Sequence, residues 1–265
     1  MRKNHSFKTK IVGILNVTPD SFFDGGKYLE ERNCLKQLEK LIADGADFID
    51  VGAQSTRPLA EIICVDEEWQ RLEKILPKII KIAHQNNIGV SLDSFNFQNI
   101  QKAVDLGIDM INDVSGGQSK QMALVAAKNP QLKFVFMHNL GVPPRKQIVI
   151  DPKLDVVEQI IIWAKNRVDE LEQLGVKKDN LIFDCGIGFG KNPEQNIEII
   201  NRIDEFRILD LPIYVGHSNK SFLDFYDNSN LTREEKTAKI NEVLIDKNVD
   251  YLRLHEVIFV NAAQI

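Results

Sequence analysis

Cysteine is scarce in this sequence. The 265-residue chain has three, Cys34, Cys64 and Cys185, widely spaced and with no CxxC pair. That excludes a disulfide framework and a Cys-rich zinc site, and it fits a reducing, cytoplasmic setting. Long apolar runs are missing as well; none approaches the ~20 residues of a membrane helix. The basic start MRKNHSFKTK before IVGILNV has the outline of a signal peptide. However, its short apolar run holds Asn16 and leads into Thr18-Pro19-Asp20 rather than a small-residue cleavage site. There is no excess of positive charge: Lys plus Arg number 33 against 38 Asp plus Glu, a net charge of −5. Neither nucleic acid nor an anionic membrane is therefore an expected partner, although a few local cations suffice for a small anion. Low-complexity tracts and Ser/Gly linkers are absent, so a single domain is expected. The hydrophobic share of 43% and charged share of 27% are ordinary for a globular fold and exclude collagen-like, coiled-coil and disordered classes.

What the sequence does have is alternation. Near-continuous apolar runs predict strands at Ile11–Val17, Phe48–Ala53, Gly89–Ser94, Met110–Ser115, Lys133–His138, Leu181–Gly186, Leu211–His217 and Val249–Glu256. Such runs suit strands buried on both faces of a parallel sheet. Helical periodicity fills the intervals: Glu30–Ala43, Asp66–Gln85, Phe97–Leu106, Lys120–Lys128, Asp155–Leu174, Pro193–Glu205 and Thr232–Lys247. Eight βα repeats in a chain of this length predict an α/β TIM (β/α)8 barrel. The same alternation also fits an open doubly wound sheet.

In a parallel barrel the chemistry sits at the C-terminal strand ends, and polar residues collect there at every predicted strand. They are Asn16; Asp50, Thr56 and Arg57; Asp93; Asn112 and Asp113; Met137-His138; Asp184 with Gly186-Ile187-Gly188-Phe189-Gly190-Lys191; His217-Ser218-Asn219-Lys220-Ser221; and Arg253 and His255. Any one alone reads as a loop polar or a helix cap. Asp93, Asn112 and Asp184 differ, because they interrupt apolar runs where an unpaired carboxylate is costly. Acceptors of this kind suit a donor-rich heterocyclic edge, such as the 2-amino-4-oxo pyrimidine of guanine or a pterin. Thr56, Arg57, Arg253 and His255 suit phosphate oxygens. The Gly186–Gly190 run reads either as a weak phosphate-loop signal or as a lid. Thr18–Gly26 and Gln54–Leu59, rich in Gly, Pro, Ser and Asp, read as loops that order on ligand binding.

These motifs resemble the dihydropteroate synthase family. Asn16-Val17-Thr18-Pro19-Asp20-Ser21-Phe22 with Asp24-Gly25-Gly26, then Ser55-Thr56-Arg57-Pro58, Asp93-Ser94, Ile111-Asn112-Asp113, Met137-His138, Asp184 with the glycine run, Lys220-Ser221, and Arg253 with His255 follow in family order. The resemblance implies a single pterin-binding barrel domain over residues 1–265, dimeric and cytoplasmic. The implied reaction joins 6-hydroxymethyl-7,8-dihydropterin diphosphate to p-aminobenzoate in folate biosynthesis, with sulfonamides as competitors. By the same resemblance Asp93, Asn112, Asp184 and Lys220 hold the pterin, with Met137 against its ring and Arg253 on its face. Asn16, Thr56 and His255 take the diphosphate, Asn16 beside Mg²⁺. Phe22, Asp24, Arg57, Pro58, Phe189 and Ser221 form the p-aminobenzoate side, Phe22 and Pro58 being positions where sulfonamide resistance would arise. Lys220, Arg253, His255 and Asp24 are the expected catalytic group.

Three motifs depart from the family pattern. Gly52-Ala53-Gln54 stands where Gly-Gly-Glu is common, Cys185 where Pro is common, and Ser218-Asn219-Lys220 where Ser-Arg-Lys is usual. The third removes a cation from the rim. A pterin-binding methyltransferase shares the Asp/Asn/Asp set but would lack Lys220-Ser221 and the Ser55–Pro58 loop. A non-catalytic pterin-binding paralogue is favoured only by Asn219.

Overall fold

The computed structural model describes residues 8–17, 27–56, 60–227 and 229–257. The expected Thr18–Gly26 loop lies outside the described residues, as do Phe22, Asp24, Arg57 and Pro58. Among the described residues, β1 (Lys10–Asn16), β2 (Phe48–Gly52), β3 (Gly89–Asp93), β4 (Met110–Asp113), β5 (Lys133–Met137), β6 (Leu181–Asp184), β7 (Ile213–Val215) and β8 (Tyr251–Leu254) form a closed barrel in chain order. Every neighbouring pair is parallel, including β1 with β8. Closure excludes the doubly wound alternative.

The two faces of each strand part company as period-two geometry requires. Ile11 and Leu15 join the large core beneath the helices, whereas Val12 joins a separate cluster with Met110, Val135, Ile182, Tyr214 and Tyr251 that fills the barrel interior. Gly13 marks the outward face of β1, where a Cβ would meet Leu41 at 3.0 Å. In the outer core an aromatic chain runs from Trp163 through Phe136 and Phe183 to Phe206, with ring centroids 5.2–6.1 Å apart. Burying a side chain of this size contributes roughly 1.5–3 kcal/mol.

Helices α1 (Lys27–Ala43), α4 (Phe97–Leu106), α5 (Lys120–Lys128), α6 (Val156–Gln173) and α9 (Arg233–Asp246) occupy the expected intervals. Two expectations are corrected. The helix read as Asp66–Gln85 is two, α2 (Val65–Leu72) and α3 (Leu76–Gln85). Pro77 causes the break: it lacks an N–H, and its ring would strike the carbonyl of Glu73 in a continuous helix. The helix read as Pro193–Glu205 stops as α7 (Pro193–Asn201), and the chain continues as a 3-10 segment, Ile203–Leu209. Its buried Ile203, Phe206 and Leu209 are spaced by three, the period of that helix. A four-residue turn of helix, α8 (Leu223–Tyr226), follows β7. Several strands are shorter than expected. β6 ends before Gly186, whose φ of +68° leaves the β region, and β7 begins after Pro212, which has no ladder donor.

Helix α7 carries a complete capping box: the Asn192 side chain accepts from the Gln195 amide, and Gln195 returns a bond to the Asn192 amide. Replacing Asn192 by Ala is expected to cost about 1 kcal/mol of stability, read as a lowered midpoint in urea unfolding.

Candidate active site

Strand register alone builds a polar row. Asn16 pairs with Gly52, Gly52 with Asp93, and Asp93 with Asn112, so β1 to β4 present these positions side by side at the mouth. Gly52 keeps the row open. A Cβ there would lie 3.5 Å from Asn16 Oδ1 and 3.8 Å from Asp93. Across the barrel, Met137 pairs with Asp184.

Arg253, rising from β8 on the inner face, ties the row together. Its Nε donates to Asp50 Oδ2 at 2.6 Å and its Nη2 to Asp93 Oδ2 at 2.7 Å. Asn112 Nδ2 donates to the same Asp50 oxygen at 2.9 Å. Burial pushes the Asp93 carboxyl up to about 7; Arg253 opposes the shift, and Asp50, Glu68 and Asp113 reinforce it. Asp184 is also raised by burial, against the pull of Lys220 and a bond accepted from the Gly186 amide at 2.7 Å. Lys220 Nζ donates to the Ile187 carbonyl at 2.6 Å and stands 4.9 Å from the Phe189 ring centroid. Burial lowers its pKa to about 8. Beside these, Met137, Phe189 and Val114, with Phe95 and Val142, form an apolar wall. Ser218 Oγ lies 3.0 Å from His255 Nδ1 and accepts from the His255 amide at 3.2 Å.

The structure therefore brings together Asn16, Asp93, Asn112, Met137, Asp184, Phe189, Lys220, Arg253 and His255. Thr56 is half-buried in the loop after β2, and Ser221 is exposed beside Lys220. Asn219 is exposed in the left-handed region at φ +56°, a conformation Asn tolerates.

Three of the five amides of the Gly186–Gly190 run are bonded within the fold, which leaves little of a phosphate cradle: Gly186 N–H on Asp184, Phe189 N–H on the Gly186 carbonyl, and Gly188 N–H on Asn196 Oδ1 at 2.7 Å. Lys191 fastens it from below. The buried Nζ donates to the carbonyls of Gly186 and Phe189, each at 2.9 Å, and lies 2.9 Å from His138 Nδ1. Burial lowers Lys191 to about 7 and His138, beside that ammonium, to about 2. Cys185, fully buried, is a packing residue, its thiol pushed up to about 12 by burial.

Several contributors escaped the sequence reading as site residues. Asp50 was visible at a strand end, but nothing nearby in sequence named its partners. Glu68, buried on α2, accepts from Ser94 Oγ at 3.0 Å, Asn96 Nδ2 at 2.9 Å and Asn99 Nδ2 at 2.6 Å. It thereby fixes the chain just after Asp93. Its signal was an acidic residue on the apolar stripe of a helix. Asp113 is structural, accepting from Ser115 and Gly117.

A family model described as "Pterin binding enzyme" matches residues 12–255. The dihydropteroate synthase of Clostridium beijerinckii is 37% identical over 254 residues, 95% of this chain and 90% of that protein. The chain belongs to the dihydropteroate synthase family. The solved dihydropteroate synthase of Anaplasma phagocytophilum, with bound 6-hydroxymethylpterin-monophosphate, is 40% identical with a TM-score of 0.88 and 96% of each chain covered. The folate synthesis bifunctional protein of Chlamydia trachomatis is 38% identical over 94% of this chain, yet the chain spans only 56% of that protein's length. Within the family pattern, Gln54 in place of Glu still closes the loop after β2: its Oε1 accepts from the Ile63 amide at 2.8 Å.

The raised pKa of Asp93 sets a pH dependence. The folded state binds its proton up to about pH 7, whereas an ordinary aspartate carboxyl releases it near pH 4, at about 3.9. The stability it contributes is full below about pH 4 and is lost as pH climbs through 7. Lys191 and Lys220, lowered toward 7 and 8, act with the opposite sign above neutrality, so a difference measurement is needed. From pH 5 to 7, wild type should lose stability relative to Asp93→Asn by at most about 1.4 kcal/mol per pH unit, followed by urea unfolding at fixed pH values.

Proposed function

We propose that this chain is a dihydropteroate synthase, condensing 6-hydroxymethyl-7,8-dihydropterin diphosphate with p-aminobenzoate to give 7,8-dihydropteroate and diphosphate. One observation carries the reading: Asp93, Asn112 and Asp184 converge at the barrel mouth with the cations Arg253 and Lys220 and the apolar wall of Met137 and Phe189. The bound pterin phosphate of the Anaplasma phagocytophilum relative supports it.

The carboxylates and the Asn112 amide would receive the amine and ring N–H groups of the pterin, Met137 lying against the ring. Arg253 would pack on its face, and Asn16, Thr56 and His255 would take the diphosphate. In the reaction the bond from the pterin methylene to diphosphate breaks and a bond from that carbon to the aryl amine forms, the amine losing a proton. The electron-rich dihydropterin can carry positive charge at the methylene. The protein's task is then to hold the leaving group, exclude water and align a weak amine. Lys220, over Phe189, would help hold the pterin and supply a cation at its junction with p-aminobenzoate. Asp24, Arg57, Pro58, Phe22 and Ser221 would complete that side, where sulfonamides compete.

Mg²⁺ fits this donor set. Among the described residues no group of three or more His, Cys, Asp or Glu could cage a metal, while Asn16 Oδ1 points into the open row at Gly52. Mg²⁺ is commonly held by few protein oxygens together with water and substrate phosphates. Asn16 would hold it, and the ion would neutralise charge on the departing diphosphate. A homodimer is part of the proposal. Light scattering reads the mass.

Steady-state release of diphosphate from the pterin diphosphate, with and without p-aminobenzoate, tests the activity; release should depend on p-aminobenzoate. Asp184→Asn should weaken pterin binding roughly ten- to a hundredfold, the loss of a charged hydrogen bond at about 1.5–3 kcal/mol. Lys220→Ala should remove most turnover. Asn219→Arg, at an exposed rim position, should change catalytic efficiency by less than about tenfold, the gain shrinking with salt, because exposed pairs contribute about 0–1 kcal/mol. An inert wild type rescued by Asn219→Arg would instead identify a non-catalytic paralogue.

A further inference from the structure

Asp50 lies one layer below the polar row. It pairs in register with Ile14 and Ser91, two residues before the level of Asn16, Gly52 and Asp93. It is fully buried, at 0% exposure. Yet its Oδ2 accepts from side chains of two other strands, Arg253 Nε on β8 and Asn112 Nδ2 on β4. These residues are 203 and 62 positions away in sequence. One oxygen therefore joins β2, β4 and β8 across the barrel.

That bond decides which way the Asn112 amide faces. A carboxylate accepts and cannot donate, so it takes the NH₂ end and would repel the carbonyl end. With Nδ2 held below, Oδ1 is left as the acceptor on the other side of the amide. Without Asp50 the two ends of the amide become nearly equivalent, and a flipped amide offers a donor where the ligand also brings donors. Mismatches of that kind, which leave buried polar groups unpaired, are the strongest source of discrimination in a polar site.

Asp50 acts similarly on Arg253. It grips the guanidinium at Nε, the root of the fork, while Asp93 holds Nη2 at the tip. A ligand that draws Asp93 away leaves Arg253 still anchored and still neutralised. Because a buried Arg that loses its only counter-charge is heavily penalised, two separate carboxylates let one be lent to the ligand.

We infer that Asp50 is a positioning residue for pterin recognition: through a single oxygen it fixes the Asn112 amide with its carbonyl toward the ligand and keeps the Arg253 fork in place while Asp93 engages the pterin edge. Glu68 does the corresponding work for the chain after Asp93, but from outside the barrel and through the backbone-adjacent Ser94, Asn96 and Asn99; of the two carboxylates, Asp50 is the one bonded to Arg253 and Asn112. The inference rests on the pterin reading of the site.

The test is calorimetry with 6-hydroxymethylpterin monophosphate on wild type, Asp50→Asn, Asn112→Ala and the double variant, together with KM for p-aminobenzoate. Asp50→Asn keeps the shape and removes the one-way acceptor. Pterin affinity should fall at least tenfold while the KM for p-aminobenzoate stays within about twofold. The loss in the double variant should be at least fivefold smaller than the product of the single losses, because Asn112 is one of the routes through which Asp50 acts. Losses that multiply, or that fall equally on both substrates, would mean Asp50 only supports the barrel and would overturn the inference. Should Asp50→Asn not fold, the Arg253 Nε–H signal in NMR spectra of wild type gives the answer: protected from exchange both without and with the pterin phosphate if Asp50 keeps its hold, and exchanging freely in the bound state if it does not. Absence of pterin binding by wild type would overturn the pterin reading itself, and the inference with it.

Discussion

A guanidinium between two carboxylates at the mouth of the barrel is the arrangement on which the rest depends. Asp50 and Asp93 are too buried to stand alone as charges, since an unpaired buried carboxylate is prohibitively costly. Arg253 makes both tolerable. Removing one member of such a buried set typically costs about 3–5 kcal/mol because it strands the others. The compensation is incomplete, as the Asp93 carboxyl pushed up to about 7 shows. A ligand bringing several N–H donors completes what the protein leaves short, and that is a reason for a pterin edge to bind here.

The second buried cation has a different duty. Lys191 turns its ammonium to main-chain carbonyls of the glycine loop and to His138, and its charge is spent on holding a loop. That loop, in turn, presents the Ile187 carbonyl on which Lys220 rests and the Phe189 ring above which Lys220 stands. Two lysines thus divide the work: the buried Lys191 shapes the loop, and the half-buried Lys220 faces the reacting groups. Gly186 makes the arrangement possible, for a Cβ there would fall 1.9 Å from the His138 carbonyl oxygen.

Much of this was legible in the sequence, for a physical reason. A parallel barrel demands strands apolar on both faces, so Asp93, Asn112 and Asp184 stood out as interruptions, and the (β/α)8 order placed them at one end. Asp50 stood at a strand end too, but its role depends on Arg253 and Asn112, residues that only barrel closure brings near. Glu68 was hidden in a helix, where an acidic residue reads as solvent-facing until its three side-chain donors are seen. The break at Pro77 could have been read from the residue itself; periodicity ran across it because α2 and α3 bury the same side. The glycine run misled because its composition suggests free amides, whereas three of those amides are bonded within the fold. The roles of Phe22, Asp24, Arg57 and Pro58 rest on the family resemblance, since they lie outside the described residues.

A crystal structure of this chain with 6-hydroxymethylpterin monophosphate tests the central claim most directly. The account predicts the amine and ring N–H groups of the pterin on Asp93, Asn112 Oδ1 and Asp184, with Arg253 Nε still on Asp50 and Met137 against the ring. A pterin bound elsewhere, or bound at the mouth with its donor edge turned away from these three acceptors, would contradict it.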